Sequence, residues 1–253
     1  MGVIIKNEEQ IEGIRRSCRL ASQTLDYLAP FIKEGVSTQE INVLAHQFII
    51  DHQAKPASLG YLGFPRSICT SLNDVVCHGI PSDKVVLKKG DIINVDVTTI
   101  LDGFYGDTSR MFFVEPVSAE AKKLVLETKN AMMKAINALA PGKYLNTCVG
   151  RVIENYVKQF GYAPVRSLTG HGVGVGFHED PSVFHFDLGF DDVLLTPGMV
   201  LTVEPMINAS RHYRVKTDSS DGWTVRTVDG ALSAQWEHTV LITQNGREIL
   251  TKS

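Results

Sequence analysis

Leu87-Lys-Lys-Gly90-Asp-Ile-Ile-Asn-Val-Asp96 is followed, 108 residues on, by Leu195-Thr-Pro-Gly198-Met-Val-Leu-Thr-Val-Glu204. Both stretches place a glycine ahead of an apolar strand and end the run on a carboxylate. Nearly the same offset carries other landmarks. Gly35 falls near Gly142, and the helical pattern from Glu8 to Ala29 falls on the one from Ser118 to Ala140. Each half therefore reads helix, turn, helix, irregular segment, strands. A duplication of this kind predicts one domain over residues 1–253, with halves of roughly 1–115 and 116–253 packed about a pseudo-two-fold axis. The fold class is α+β, with a curved antiparallel sheet at the centre, helices outside, and Asp96 and Glu204 near the axis.

The flanking patterns support this reading. Ile11, Ile14, Cys18 and Leu25 recur at near-helical spacing, as do Ile41, Leu44, Ala45 and Phe48. Ser37-Thr38-Gln39-Glu40 carries the serine and glutamate of a capping box and starts the second helix. In the later half, helices are expected over 124–139 and 149–160, closed by Pro141-Gly142 and Gly161. The polar segment from Ala209 to Asp221 reads as an elongated surface hairpin or loop.

Downstream of the first repeat, Asn94-Val-Asp96-Val-Thr-Thr-Ile-Leu-Asp102-Gly103-Phe-Tyr-Gly106-Asp107-Thr-Ser reads as a β-hairpin, because Asp-Gly between β-rich flanks is a two-residue turn signal. That turn pairs Thr98 with Asp107 and puts Asp96 on the same face as Asp107, with Cα atoms about 7–8 Å apart on the diagonal. Two acids on a hairpin face are ordinarily just solvated. Here Asp96 and Glu204 each end an apolar run where a burying sheet is expected, and an unpaired buried carboxylate is costly. Glu237, at the head of another strand in Gln235-Trp236-Glu237-His238, adds a fourth acid. His171, between the glycines of Gly170-His171-Gly172, offers an imidazole on a backbone that can pack tightly. Several acids in one place repel one another and resist ionisation unless cations balance them. Four carboxylates and an imidazole, with no thiolate, suit two divalent ions such as Mn, Fe, Co or Zn with shared carboxylates. Hydrolysis is the chemistry such a pair supports.

Composition narrows the class without choosing a reaction. The 25 basic and 28 acidic residues are spread along the chain, giving a net charge of −3, so no patch marks a nucleic-acid or anionic-membrane partner. Cys18, Cys69, Cys77 and Cys148 form no C-x-x-C pair, which favours reduced thiols in the cytoplasm. No stretch reaches the ~20 apolar residues of a membrane span, and the N-terminus lacks a signal or myristoylation pattern.

Six motifs, in order and spanning the chain, resemble the type I methionine aminopeptidases. They are Asn73-Asp-Val-Val-Cys-His78-Gly, Asp96 with Gly106-Asp107-Thr, Gly170-His171-Gly-Val-Gly, Phe177-His178-Glu, Glu204-Pro-Met and Gln235-Trp-Glu237-His-Thr. The resemblance implies the pita-bread fold and removal of the initiator methionine from nascent proteins whose next residue is small, by water activated between two metal ions. It makes Asp107 and Glu237 bridging ligands, Asp96 a ligand of one ion, and His171 and Glu204 ligands of the other, with Glu204 also moving the proton of the attacking water. His178 would hydrogen-bond the substrate carbonyl, and His78 would contact the scissile amide. The methionine pocket falls on Tyr61, Phe64, Cys69, Phe177 and Trp223. Asn73, Val75 and Ser233 match positions that hold a monovalent cation through backbone carbonyls.

The resemblance also implies a monomer with transient ribosome association, although the cysteine-rich N-terminal extension of some relatives is absent. Ser58, Phe64 and Val175 stand where bacterial relatives often have Cys, Tyr and Arg, which affects the pocket rim rather than the ligands. Two other readings compete. Xaa-Pro peptidases share the fold and usually carry an additional N-terminal domain. Non-catalytic binding proteins of the fold typically lose metal ligands, and all five are present here.

Overall fold

The computed structural model describes residues 2–252. Two helices open the chain, each started by reciprocal side-chain caps that satisfy N–H groups with no partner inside the helix. At α1 (Glu8–Leu28) the Asn7 side chain accepts the Gln10 N–H at 2.9 Å, and Gln10 Oε1 accepts the Asn7 N–H at 3.0 Å. At α2 (Thr38–Asp51) Ser37 and Glu40 form the predicted box. Ile14, Cys18, Ala21, Leu25 and Leu28 are buried along one face of α1, the three- and four-residue steps of a core-facing stripe.

The later half has α3 (Ala119–Ala138), α4 (Leu145–Cys148) and α5 (Gly150–Val157). The helix expected over 149–160 thus begins earlier, breaks at Val149 and finishes as a 3-10 turn over Lys158–Phe160. The early start has a non-local cause. The Asn146 N–H is capped by Asp192 Oδ1 at 2.8 Å, and the Leu145 N–H by the Val193 carbonyl at 2.8 Å.

Among the described residues all strand pairings are antiparallel, as expected for this fold class, and the strands fall into four hydrogen-bonded sheets. In the first, β4 (Ile92–Leu101) is flanked on one edge by β5 (Phe104–Phe113) and on the other by β2 (Cys69–Leu72) and β1 (Lys55–Pro56). The second places β10 (Met206–Asn208) between β6 (Ala163–Pro164) and β13 (Ser233–Gln235). The third runs β3 (Val75–Cys77), β12 (Val225–Thr227), β11 (Val215–Thr217), so the 209–221 segment belongs to a β11–β12 hairpin laid against β3. The fourth has the order β15 (Gly246–Ile249), β14 (His238–Thr243), β9 (Val200–Val203), β7 (Gly170–Gly172), β8 (Glu179–Val183).

One apolar cluster lies within residues 20–114, around Leu25, Ile41, Val95 and Val97. A second, around Met132, Ile136, Ile153 and Val240, is drawn mainly from the later half. α1 joins them, since Ile14 and Cys18 pack with Val173, Val200, Leu241 and Leu250. Hydrogen bonds between buried groups also cross the seam. Thr239 Oγ1 donates to the Asp107 carbonyl and Thr108 Oγ1 to the Glu237 carbonyl, each at 2.7 Å. The seam between the sheets therefore fixes the backbone at two of the candidate ligands.

Candidate metal centre and substrate cleft

The β4–β5 hairpin has the register its turn predicts. Thr98 pairs with Asp107, and Asp96, opposite Ser109, shares their face. Asp96 ends the apolar run but not the strand, as the hairpin reading requires. β4 continues to Leu101 because Val97, Thr98 and Thr99 stay buried and paired to β5. Glu204 follows β9 directly, and Glu237 lies in the two-residue gap between β13 and β14 rather than within a strand.

The predicted ligands converge. Asp107, His171 and Glu237 each have a ligand atom within 4.8 Å of the others. His171 Nε2 lies 3.7 Å from Asp107 Oδ2 and 3.5 Å from Glu204 Oε1. Gly172 makes the placement of His171 possible, since a Cβ there would stand 2.3 Å from the Asp180 carbonyl oxygen. His171 Nδ1 lies 2.9 Å from the Gly172 carbonyl, which can only accept, so the ring donates there and its Nε2 faces the carboxylates as a bare lone pair.

Neutral donors orient the acids. Thr98 Oγ1 donates to Asp107 Oδ1 and Thr202 Oγ1 to Glu204 Oε1, both at 2.7 Å, and Gln235 Nε2 donates to Glu204 Oε2 at 3.2 Å. The Glu204 N–H donates to Nε2 of the fully buried His185 at 3.1 Å. Among the described residues no Lys or Arg lines the cavity. Burial raises the pKa of Asp107 to about 7, against the opposing hydrogen bonds from Thr98 and Thr108. Burial first, then the charge of Asp107, raises Asp96, Glu204 and Glu237 well above the usual carboxylate range. Burial depresses His171 to about 4. Four carboxylates and an unprotonated imidazole nitrogen thus face one another without a countercharge. That donor set fits divalent cations, which would remove the mutual repulsion.

The centre opens into a cavity of about 350 Å³. Its walls include Tyr61, Phe64, Cys69, Phe177 and Trp223, together with His78 and His178, so every residue expected in the substrate site is present. Phe64 and Trp223 meet edge to face at 5.2 Å, and Tyr61 and Phe177 are tilted at 4.7 Å. The His178 Nδ1 lies 2.9 Å from the Tyr61 hydroxyl, and its ring is 4.2 Å from that of His171. Burial in the cleft, then the nearby His171 and His78, hold His178 below the usual imidazole range, and burial lowers His78.

Asn73, Val75 and Ser233 lie outside this cavity. The Asn73 carbonyl accepts the Ser233 N–H at 2.8 Å, with Asn73 in a left-handed conformation (φ 53°), whereas Val75 pairs with Arg226. Sequence reasoning did not single out Thr202, His185 and Gln235 as supports of the centre. Only Thr98 had a signal, its cross-strand position opposite Asp107. Met206, quoted only as the end of Glu204-Pro-Met, also lines the cavity, as do Leu62, Ser167, Leu168 and Thr169, which no pattern marks.

Comparison with known proteins agrees with this geometry. The model of metallopeptidase family M24 matches residues 12–244. The methionine aminopeptidase of Rickettsia prowazekii is 48% identical over 100% of this chain and 96% of its own length. A crystal structure of methionine aminopeptidase from Rickettsia prowazekii superposes with a TM-score of 0.96 at 47% identity, covering 99% of this chain and 100% of that one. The Thermotoga maritima enzyme structure gives 0.96 at 35% identity, with both chains fully covered. A family match across most of the sequence, relatives near half identical over their full length, and a shared fold around the convergent acids lead to one conclusion: the chain belongs to metallopeptidase family M24.

Proposed function

We propose that this chain removes the N-terminal methionine, above all the initiator methionine of nascent proteins, from chains whose second residue is small. The observation that carries the reading is the convergence of Asp107, His171 and Glu237, with Asp96 and Glu204 lining the same cleft beside its aromatic and thiol side chains. Asp107 and Glu237 would bridge two ions of Mn, Fe, Co or Zn, Asp96 would hold one of them, and His171 and Glu204 the other. When bound, such ions polarise a carbonyl oxygen and make water a nucleophile near neutral pH.

The chain's own groups supply the rest. Tyr61, Phe64, Cys69, Phe177 and Trp223 hold the methionine side chain, whose polarizable thioether suits aromatic edges. A Glu204 carboxylate oxygen takes the proton released by the attacking water and returns it to the leaving amine. His178 Nδ1 lies 2.9 Å from the Tyr61 hydroxyl; the hydroxyl is assigned as the donor on this reading, so that the proton of the neutral ring sits on Nε2 and donates to the carbonyl oxygen as charge develops there. His78, which lines the same cleft 6.1 Å from Trp223 between ring centres, contacts the scissile amide.

A monovalent cation at the carbonyls of Asn73, Val75 and Ser233 fits the backbone contact between Asn73 and Ser233. Among the described residues no helix is long and apolar enough to cross a membrane. The proposal includes a cytoplasmic monomer that meets its substrates at the ribosome. The halves 1–115 and 116–253 form one duplicated catalytic domain on this reading, supported by the recurring helix-then-strand order.

The test is Asp107→Asn. Removing the bridging charge should abolish loading of the metal pair and cleavage of Met-Ala-Ser together, whereas a fully active variant refutes the ligand assignment.

A further inference from the structure

Lysine side chains are rarely buried without a partner. Lys6, ahead of α1, has a side chain only 1% exposed, and its Nζ donates to Glu179 Oε2 at 2.5 Å. The Glu179 side chain is 5% exposed. Its other oxygen, Oε1, accepts the N–H groups of Val175 and Gly176 at 2.8 and 2.6 Å. These bonds close the turn between β7 and β8 that carries Phe177 and His178. Lys6 is itself fixed to the body of the protein, its N–H donating to the Gly198 carbonyl at 2.9 Å.

We infer that Lys6 is a positioning residue, setting His178 and Phe177 in the cleft through the Glu179 carboxylate. A buried carboxylate holding two N–H groups is kept in place by a buried countercharge. Lys6 is the cation whose ammonium meets it. Without Lys6 the Glu179 carboxylate is left buried without its partner and turns toward water. Its hold on Val175 and Gly176 then weakens, and His178, the residue next to Glu179, loses its setting. The inference rests on His178 acting on the substrate carbonyl.

The experiment is a double-mutant cycle on Met-Ala-Ser using Lys6→Met, which keeps an unbranched chain and removes the charge, with His178→Ala and the double variant. Bound metal and Tm are measured on each protein. Lys6→Met should lower kcat on the order of ten- to a hundredfold, as a misplacement of about 1 Å in a positioning element does, with metal content unchanged. In the His178→Ala background the same change should cost less than about threefold, because interacting sites are non-additive. Equal losses in both backgrounds, or wild-type kcat for Lys6→Met while His178→Ala is impaired, overturn the inference. Wild-type kcat for His178→Ala removes the role of His178 itself, and the inference with it. Should Lys6→Met not fold, Glu179→Gln breaks the same pair with its shape retained and is judged by the same outcomes.

Discussion

Removing metal should make the stability of this protein fall as pH rises from 7.5 to 8.5. In the metal-free fold Asp96, Glu204 and Glu237 keep their protons well above the usual carboxylate range, and Asp107 keeps its proton to about 7. The unfolded chain ionises the same groups near pH 4. The folded state then binds more protons than the unfolded one, and stability is lost as pH climbs toward the folded pKa values. The buried histidines act in the opposite sense. His171 and His238 at about 4, His178 and His185 at about 3, and His78, which burial lowers, bind fewer protons than unfolded imidazoles, so their contribution is complete only above pH ~7.5.

Between that pH and the onset of thiol ionisation, the carboxylates set the slope. Each carboxyl protonated only in the fold costs about 1.4 kcal/mol per pH unit, so one to three of them cost about 1.4 to 4. At about 2–4 °C per kcal/mol for a chain of this size, Tm should drop roughly 3–16 °C per pH unit. With manganese bound the acids are ionised in both states, and the slope should vanish or reverse. Scanning calorimetry of chelator-treated and manganese-loaded protein reads this directly. A metal-free Tm that is level or rises from pH 7.5 to 8.5 would refute the account of the centre.

Further expectations concern single contacts. Thr98→Ala removes the 2.7 Å bond that orients Asp107 and should weaken metal binding about 10–100-fold by calorimetric titration; unchanged affinity would show that Thr98 does not orient Asp107. His178→Ala should lower kcat about 10²–10³-fold, as loss of an oxyanion donor does, with metal content intact. A variant that instead loses its metal would contradict the role assigned to His178. Ser37→Ala opens the α2 capping box and should cost about 1 kcal/mol, seen as a lower Tm with kcat unchanged.

The parts of the molecule legible in sequence were those set by local rules. Asp102-Gly103 fixed the hairpin register, and a period of two then placed Asp96 and Asp107 on one face. Ser37 and Glu40 marked the start of α2 through a cap three residues long. What stayed hidden depends on contacts between distant segments. Asp192 sets the start of α4 from 46 residues away. Trp223 reaches the cleft because β12 pairs with β3, Val225 opposite Cys77, and no local pattern in 209–221 announces that partner. Thr202 and His185 sit in apolar stretches where a hydroxyl or a ring looks like filler, and only the fold turns them toward Glu204. The break that places Glu237 between two strands likewise arises where the sheets meet, not from its own neighbours.

The central claim is that this cleft recognises methionine and that its five ligands hold the ions that cut behind it. Cleavage of Met-Ala-Ser against Ala-Ala-Ser, with metal analysis of the same protein before and after chelation, tests it most directly. The account predicts release of methionine only, lost on chelation and restored by Mn, Co or Fe. Equal cleavage of both peptides, or activity that survives complete removal of metal, would contradict it.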